Sequence, residues 1–336
     1  MMDKRIRELY SPAIYQQALE AYGIPPDGAW ELGGFESFIY EFRKGEQEGV
    51  LRITHTLRRS PDMIRGELDW INFLHRGGAG VSQPLPTLGK EWVGCLDDGA
   101  GGYFLTAAFE RAVGTPHRGR EWPEQLLREY GVQVGRMHQL SRSYQPSVPA
   151  WKRPEWDDPV HLDIADAIPA GEEGVREVFW ENIAHLRQLP RDERSYGLIH
   201  QDPHQGNFFV DSSGGITFFD FDDSSYSWFV EDIALAVFYA ALGQEDPDGF
   251  TSDFLAGFLP GYFSAHSLEE EWFEHIPLFL KRREIDLYAV IHRSFDVENL
   301  SDPWCSWYLE GRKERLLGRV PVLAFDFAGF DTQSYR

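Results

Sequence analysis

The chemistry of this chain is concentrated in three oxygen-bearing side chains within residues 196–223, YGLIHQDPHQGNFFVDSSGGITFFDFDD. Asp202 follows His200 by two, Asn207 follows Asp202 by five, and Asp220 comes after an apolar run. Residues 207–211 and 216–220 read as two short strands, with Ser212-Ser213-Gly214-Gly215 as the turn. A four-residue loop pairs Asp211 with Ile216 and sets Asn207 opposite Asp220. Directly opposed residues have β-carbons roughly 4.5–5.5 Å apart. An amide oxygen and a carboxylate at that spacing can share hard cations such as magnesium, which takes oxygen ligands. Asp202 lies in the loop just before the first strand, where a carboxylate beside a metal can orient a hydroxyl and accept its proton. An Asp, an Asn five residues on and an Asp at the end of a hairpin are the parts of the phosphoryl-transfer template, which asks a protein mainly for positioning and charge neutralisation. The triplet His200-x-Asp202-x-His204 also has the residue types of a metal-dependent hydrolase. The remaining histidines are scattered singly from His55 to His292, so no second ligand cluster supports that reading.

The elements that hold these groups are legible on either side. Residues 38–42 and 50–54 are rich in β-branched and aromatic types around a polar turn, and Gly33-Gly34-Phe35-Glu36-Ser37 makes a tight turn before the first of them. Ser60 suits an N-cap and Pro61 a first helical position; Ile64, Leu68, Ile71 and Leu74 then recur at helical spacing until Gly77-Gly78. Glu67 falls on that apolar face and demands a cation, for which Arg52 on the neighbouring strand is the candidate. A strand is expected over residues 103–109, and helices over 125–140 and 175–189. Residues 144–173, rich in Pro, Trp and Asp, read as a loop-bearing insertion. Beyond Asp232 the pattern is helical almost to the end, with interruptions at Pro247, Pro260, Pro277 and Pro303. Gly114 and Pro116 mark a boundary, giving an N-terminal lobe over residues 1–110 and a larger lobe over 111–336.

Composition narrows the partners. With 42% apolar and 15% aromatic residues among 336, the chain has material for a real core and is not of disordered type. A net charge of −22 repels nucleic acid and anionic membranes and favours a cationic small molecule. Two cysteines, Cys95 and Cys305, make no disulfide framework. There is no signal-peptide run at the N-terminus, and the apolar stretch near residues 233–242 is too short for a bilayer, so a soluble, cytoplasmic protein is expected. Within the insertion, Trp151, Trp156, Asp157 and Asp158 combine rings and carboxylates in a way that can cage an amine. The run Lys281-Arg282-Arg283 would oppose that preference if it faced the acceptor.

Taken together, His200-Gln201-Asp202-Pro203-His204-Gln205-Gly206-Asn207, Phe219-Asp220-Phe221-Asp222, and Val50-Leu51-Arg52-Ile53 with Glu67 resemble the aminoglycoside phosphotransferase/choline kinase superfamily, in particular its homoserine-kinase-like bacterial branch. The resemblance runs from about residue 30 to about 315. It implies an α+β, protein-kinase-like two-lobed fold, with a small β-rich N-lobe, a larger helical C-lobe and ATP between them. It implies Asp202 as catalytic base, Asn207 and Asp220 as magnesium ligands, and Ser37, Arg52, Glu67 and Phe109 as the nucleotide-binding set. Asp232 maps to a buried brace of the catalytic loop, and His138, on an apolar helix, reads as structural. Two departures stand out: the glycine-rich turn lacks GxGxxG, and Arg52 replaces the usual Lys, from which it differs in its fork of donors. The implied activity is transfer of the ATP γ-phosphate to a hydroxyl of a small, amine-bearing acceptor, such as an amino alcohol, a homoserine-like amino acid, an amino sugar or an aminoglycoside. A protein Ser/Thr kinase competes with this, but the dozen residues from Asp220 to Asp232 leave no room for an activation segment. A catalytically weak scaffold is opposed by the retention of Asp202, Asn207 and Asp220, while Arg52 leaves it open.

Overall fold

The computed structural model describes every residue except Met1, Arg118 and Arg120. It divides into two units: Met1–Pro116 with Ser143–Arg153 and Asn207–Asp222, and His117–Arg142 with Pro154–Gly206 and Asp223–Arg336.

In the first unit, β-branched and aromatic residues build an antiparallel sheet in the order Ala29–Glu31, Phe38–Lys44, Gln47–His55, Tyr103–Glu110, Pro84–Leu85, with Gly94–Asp97 also paired to Tyr103–Glu110. Register sets Ile39 opposite Arg52, and Arg52 opposite Ala107. Two helices ahead of the sheet, Lys4–Leu9 and Pro12–Tyr22, were not anticipated. Their signal was present in Ser11, whose side chain caps the second helix, and in Pro12 at its first position. They bury Ile6, Ala18 and Leu19 with Leu51, Ile53 and Phe104 of the sheet. The helix Pro61–Arg76 begins as expected, with the Ser60 hydroxyl accepting from the Met63 amide at 3.2 Å, and buries Ile64, Leu68, Ile71 and Leu74. A second sheet joins Ile216–Phe218, Phe208–Val210 and Thr115–Pro116.

The second unit is helical, with Glu124–Ser141, Glu173–Leu186, Phe229–Ala241, Pro247–Ala265 and Ile276–Ser294 as its long helices. Phe229–Ala241 is buried on every residue but Tyr239, which accounts for its continuous apolar run. Among the described residues, no helix is long and apolar enough to cross a membrane. Pro247, Pro277 and Pro303 stand at helix starts, where a missing N–H costs nothing. Pro260, expected to interrupt, lies inside Pro247–Ala265 without ending it. Edge-to-face packing of Tyr130 on Phe254 and Phe258, and of His138 on Tyr262, holds the helix on both sides of the proline. Tertiary packing there outweighs one lost hydrogen bond.

Candidate active site

The loop carrying Asp202 leaves the strand Tyr196–Ile199, which pairs with Ser225–Trp228. Two acids in the buried helix Phe229–Ala241 must find partners, since an unpaired carboxylate in an apolar core is costly. Asp232, fully buried, accepts from the amides of His200 at 3.0 Å and Gln201 at 2.9 Å, and from His138 Nε2 at 3.1 Å. The geometry is that of a brace. His138 in turn meets the Tyr262 hydroxyl through Nδ1 at 2.9 Å, a structural position as expected. Glu231 takes the side chains of Gln201 at 3.1 Å and Arg282 at 3.2 Å. Gln201 itself adopts φ +71°, unusual for a residue with a β-carbon.

Asp202 emerges from this braced loop with its side chain 22% exposed. Arg283 Nη2 donates to its Oδ1 at 2.9 Å, and His204 Nε2 lies 3.3 Å from Oδ2. His204 Nδ1 accepts from the Gly206 amide at 2.8 Å, which assigns the proton to Nε2. Burial alone would raise the Asp202 carboxyl, but Arg283, His204 and His200 hold it well below the usual carboxylate range. It is an anion suited to orienting a hydroxyl rather than a strong base.

In the first unit, the hairpin register differs from expectation by one residue. Asp211 does not pair with Ile216. Its carboxylate accepts from the Ser213 amide at 2.7 Å, the Ser213 hydroxyl at 2.6 Å and the Gly215 amide at 3.0 Å, which draws it into the turn. Ile216 therefore pairs with Val210 and Phe218 with Phe208, and the Phe219 amide donates to the Asn207 carbonyl at 2.9 Å. Asn207 faces Phe219, not Asp220. Asp220 leaves the ladder at φ +63°, so a left-handed residue rather than strand register aims its carboxylate. That side chain is 57% exposed and lies 4.0 Å from Arg52 Nη1. The Asn207 amide and the Asp220 carboxylate are the hard oxygen donors that magnesium takes, and two of them leave the rest of its shell to phosphate and water. Among the described residues, no group of three His, Cys, Asp or Glu side chains forms a metal cage.

Arg52 and Glu67 meet as their positions demanded. Nη1 donates to Oε1 at 2.9 Å and Nη2 to Oε2 at 2.5 Å, with Glu67 fully buried. Burial opposes the charge on Arg52, but Glu67, Asp222 and Asp220 raise its pKa further above the usual value. Its guanidinium lies 5.3 Å from the centre of the Phe109 ring. Three members of the expected nucleotide set, Arg52, Glu67 and Phe109, are thus brought together. Ser37, buried just ahead of the strand Phe38–Lys44, lies two residues before Ile39, the partner of Arg52. Gly34 in the turn before it has no room for a side chain: a β-carbon there would lie 2.0 Å from the Ser37 carbonyl oxygen.

Sequence reasoning missed the cluster around Asp222. Arg59 Nε donates to it at 3.2 Å, Arg58 pairs with the same oxygen, and Arg52 stands 3.8 Å from the other. Arg153, 2% exposed, donates to the Asp222 carbonyl at 2.6 Å and the Met63 carbonyl at 2.8 Å. Burial would raise the Asp222 carboxyl; these arginines hold it far below its usual range. Arg153 reaches this place because Gly66 lets the insertion backbone approach, a β-carbon there falling 2.1 Å from the Trp151 carbonyl oxygen. The only sequence signal was charge density, Arg58-Arg59 before the helix cap and the second acid of Phe219-Asp220-Phe221-Asp222. Trp156, Asp157 and Asp158 do not make the amine cage that their residue types allow. Trp156 is fully buried with Arg282 and Arg191 over its ring at 5.2 and 5.8 Å, Asp157 pairs with Arg187 and Arg191, and Asp158 caps a short helix. Those groups are already neutralised by the protein's own cations and backbone.

Known proteins share this sequence and fold. Residues 32–268 match the model of the phosphotransferase enzyme family. Amicoumacin kinase of Bacillus subtilis (strain 168) is 36% identical over 330 residues, 97% of this chain and 98% of that protein. A solved amicoumacin kinase, in complex with AMP-PNP, Ca2+ and Ami, superposes with a TM-score of 0.92 at 33% identity, covering 97% of this chain and 99% of that one. A microcompartment-associated aminopropanol kinase shares the fold at a TM-score of 0.72 and 22% identity, over 92% and 98% of the two chains. The α+β, kinase-like fold implied by the sequence is the one observed.

Proposed function

Since the chain belongs to the phosphotransferase enzyme family and is a kinase that uses ATP with magnesium, we propose that it transfers the γ-phosphate to a hydroxyl of a small, amine-bearing acceptor, with amicoumacin as the first compound to test. The observation that carries the acceptor is the likeness to amicoumacin kinases over nearly the whole of both chains. The excess of 54 acidic over 32 basic residues supports a cation, through the long-range field rather than through the insertion.

In this reading Asp202 accepts a hydrogen bond from the acceptor hydroxyl and turns its oxygen toward the γ-phosphorus. As the new O–P bond forms and the bond to the β-phosphate oxygen breaks, the hydroxyl proton passes to Asp202 and ADP leaves. Such a transfer needs little from a strong base, so a carboxylate of depressed pKa is adequate. Asn207 and Asp220 would hold magnesium, which when bound would neutralise charge developing on the phosphates. Arg52 contributes charge beside Asp220. Glu67 occupies its paired donors, so it meets a phosphate with its remaining N–H groups and not with an open fork. Ser37 and the turn amides before it are the groups this reading assigns to a phosphate, and Phe109 supports Arg52 from its ring face.

The test is a panel of acceptors with ATP and magnesium: amicoumacin, aminopropanol, homoserine, an aminoglycoside, and neutral and anionic alcohols, with ADP release and the phosphate ester both followed. The proposal expects the highest kcat/KM on an amine-bearing compound, falling as salt screens the attraction. A preferred acceptor that is neutral or anionic would overturn the amine-bearing assignment. No transfer to any hydroxyl would overturn the whole reading.

A further inference from the structure

Arg283 lies in the helix Ile276–Ser294, and by sequence alone it is one charge of a basic run that opposes a cationic acceptor if it faces it. Its side chain is spent otherwise. Nη2 donates to the Gln201 carbonyl at 2.6 Å and to Asp202 Oδ1 at 2.9 Å. The guanidinium lies 5.5 Å from the centre of the Tyr239 ring, and that same ring packs against His204 at 4.5 Å. Tyr239 is the one residue of the helix Phe229–Ala241 that is not buried there, and it backs both Arg283 and His204, the two side chains against the Asp202 carboxylate. Gln201, in its left-handed conformation, is caught on both sides: Asp232 takes its amide and Arg283 its carbonyl. A residue that costs energy to hold in that region persists only where its surroundings over-determine it.

We infer that Arg283 is a positioning residue for phosphoryl transfer, fixing the Asp202 carboxylate at Oδ1 and the Gln201 peptide in one arrangement before an acceptor arrives. The inference rests on the reading of Asp202 as the group that receives the hydroxyl proton. A misplacement of about 1 Å at a reacting group can lower a rate by roughly a hundredfold. Loss of Arg283 should therefore appear in kcat, while ATP affinity, which this reading assigns to Arg52, Asn207 and Asp220, should hold. The charged and titratable groups facing this pair include His200, His204 and Tyr130 at Asp202, and Tyr239, Asp223, Asp286, Glu231 and Tyr308 at Arg283. Asp223 and Asp286 carry the same sign as Asp202 and cannot replace the guanidinium. Without it, the acid limb of kcat should move to higher pH, because the carboxylate is then protonated more readily.

The experiment compares Arg283→Gln, Arg283→Lys, Asp202→Asn and the double variant Arg283→Gln/Asp202→Asn in the full chain. Single-turnover transfer from ATP to an acceptor found in the panel, the KM for ATP and the melting temperature are measured for each. Gln keeps a polar head on a shorter stem without the charge, and Lys keeps the charge. The expected result is a loss of about tenfold to a hundredfold in kcat for Arg283→Gln, an unchanged KM for ATP, partial recovery in Arg283→Lys, and less than a twofold further loss when Asp202 is already Asn. A kcat within twofold of the parent would overturn the inference. So would an equal loss in the Asp202→Asn background, since Arg283 would then act independently of Asp202. Should Arg283→Gln fail to fold, Arg283→Lys decides: no loss of kcat and no change in the acid limb would overturn the inference. If Asp202→Asn alone retains full turnover, it is the reading of Asp202 that fails, whereas an impaired Asp202→Asn beside an unaffected Arg283→Gln removes only the role of Arg283.

Discussion

Replacing Glu67 by Gln isolates the buried pair that the sequence demanded. The side chain keeps its volume, so packing is preserved and the change is electrostatic. Arg52 Nη1 retains an oxygen acceptor, but Nη2, now 2.5 Å from Glu67 Oε2, would face an amide N–H instead. One charge-assisted hydrogen bond becomes a donor–donor contact. Removing one partner of a buried ion pair typically costs about 3–5 kcal/mol. Asp222 at 3.8 Å and Asp220 at 4.0 Å from Nη1 still offset part of the guanidinium's charge, so the lower end, about 3 kcal/mol, applies. At roughly 2–4 °C per kcal/mol, the melting temperature should fall by ~6–12 °C. The assay is thermal unfolding of nucleotide-free protein followed by tryptophan fluorescence. Arg52→Met alone should be as damaging, because it leaves Glu67 buried without its cation. The double variant Arg52→Met/Glu67→Gln should melt above the Arg52→Met single, the mark of a coupled pair. A Glu67→Gln protein that melts within a degree or two of the parent, or a double variant whose losses simply add, would refute this account of the pair.

Two other substitutions probe the brace and the metal ligand. Asp232→Ala strips the acceptor from the amides of His200 and Gln201 and from His138; with about 1–3 kcal/mol for each buried donor left unsatisfied, the urea midpoint should drop by the equivalent of at least ~3 kcal/mol, and an unchanged midpoint would contradict the bracing role. Asp220→Ala should lower the nucleotide-free melting temperature by only a few degrees, from the strain of Ala at φ +63° and the lost charge beside Arg52, yet remove most of the stabilisation that ATP with magnesium confers; full stabilisation would mean that Asp220 holds no metal.

What could be read from the residues was whatever local chemistry decides alone. Ser60 and Pro61 announced a helix start because capping involves neighbours in sequence. Glu67 on an apolar stripe announced a cation because burial forbids a lone carboxylate. Asp232 and the loop His200–Asn207 were legible through their resemblance to known kinases. The hairpin register was not, because the Asp211 side chain captured two amides and lengthened the turn by one residue. Asp222 was hidden for another reason: its partners at residues 58, 59 and 153 are brought to it only by the fold, one of them through a close approach at Gly66. Trp156 stands in the sequence as a ring among acids, but Arg191 and Arg282, distant in sequence, cover it. Arg283 stood in the sequence as a charge of unspecified direction, and only the path of its helix past Gln201 and Tyr239 gives it a task.

The most direct test of the central claim is a single-turnover measurement of phosphate-ester formation from ATP and the preferred acceptor, made on the parent and on Asp202→Asn alongside binding of AMP-PNP with magnesium. The account predicts unaltered nucleotide binding in both and ester formation slowed by about 10²–10⁴-fold in Asp202→Asn, the range expected for loss of a positioned acid–base group. An Asp202→Asn protein that forms the ester at the parental rate would contradict it.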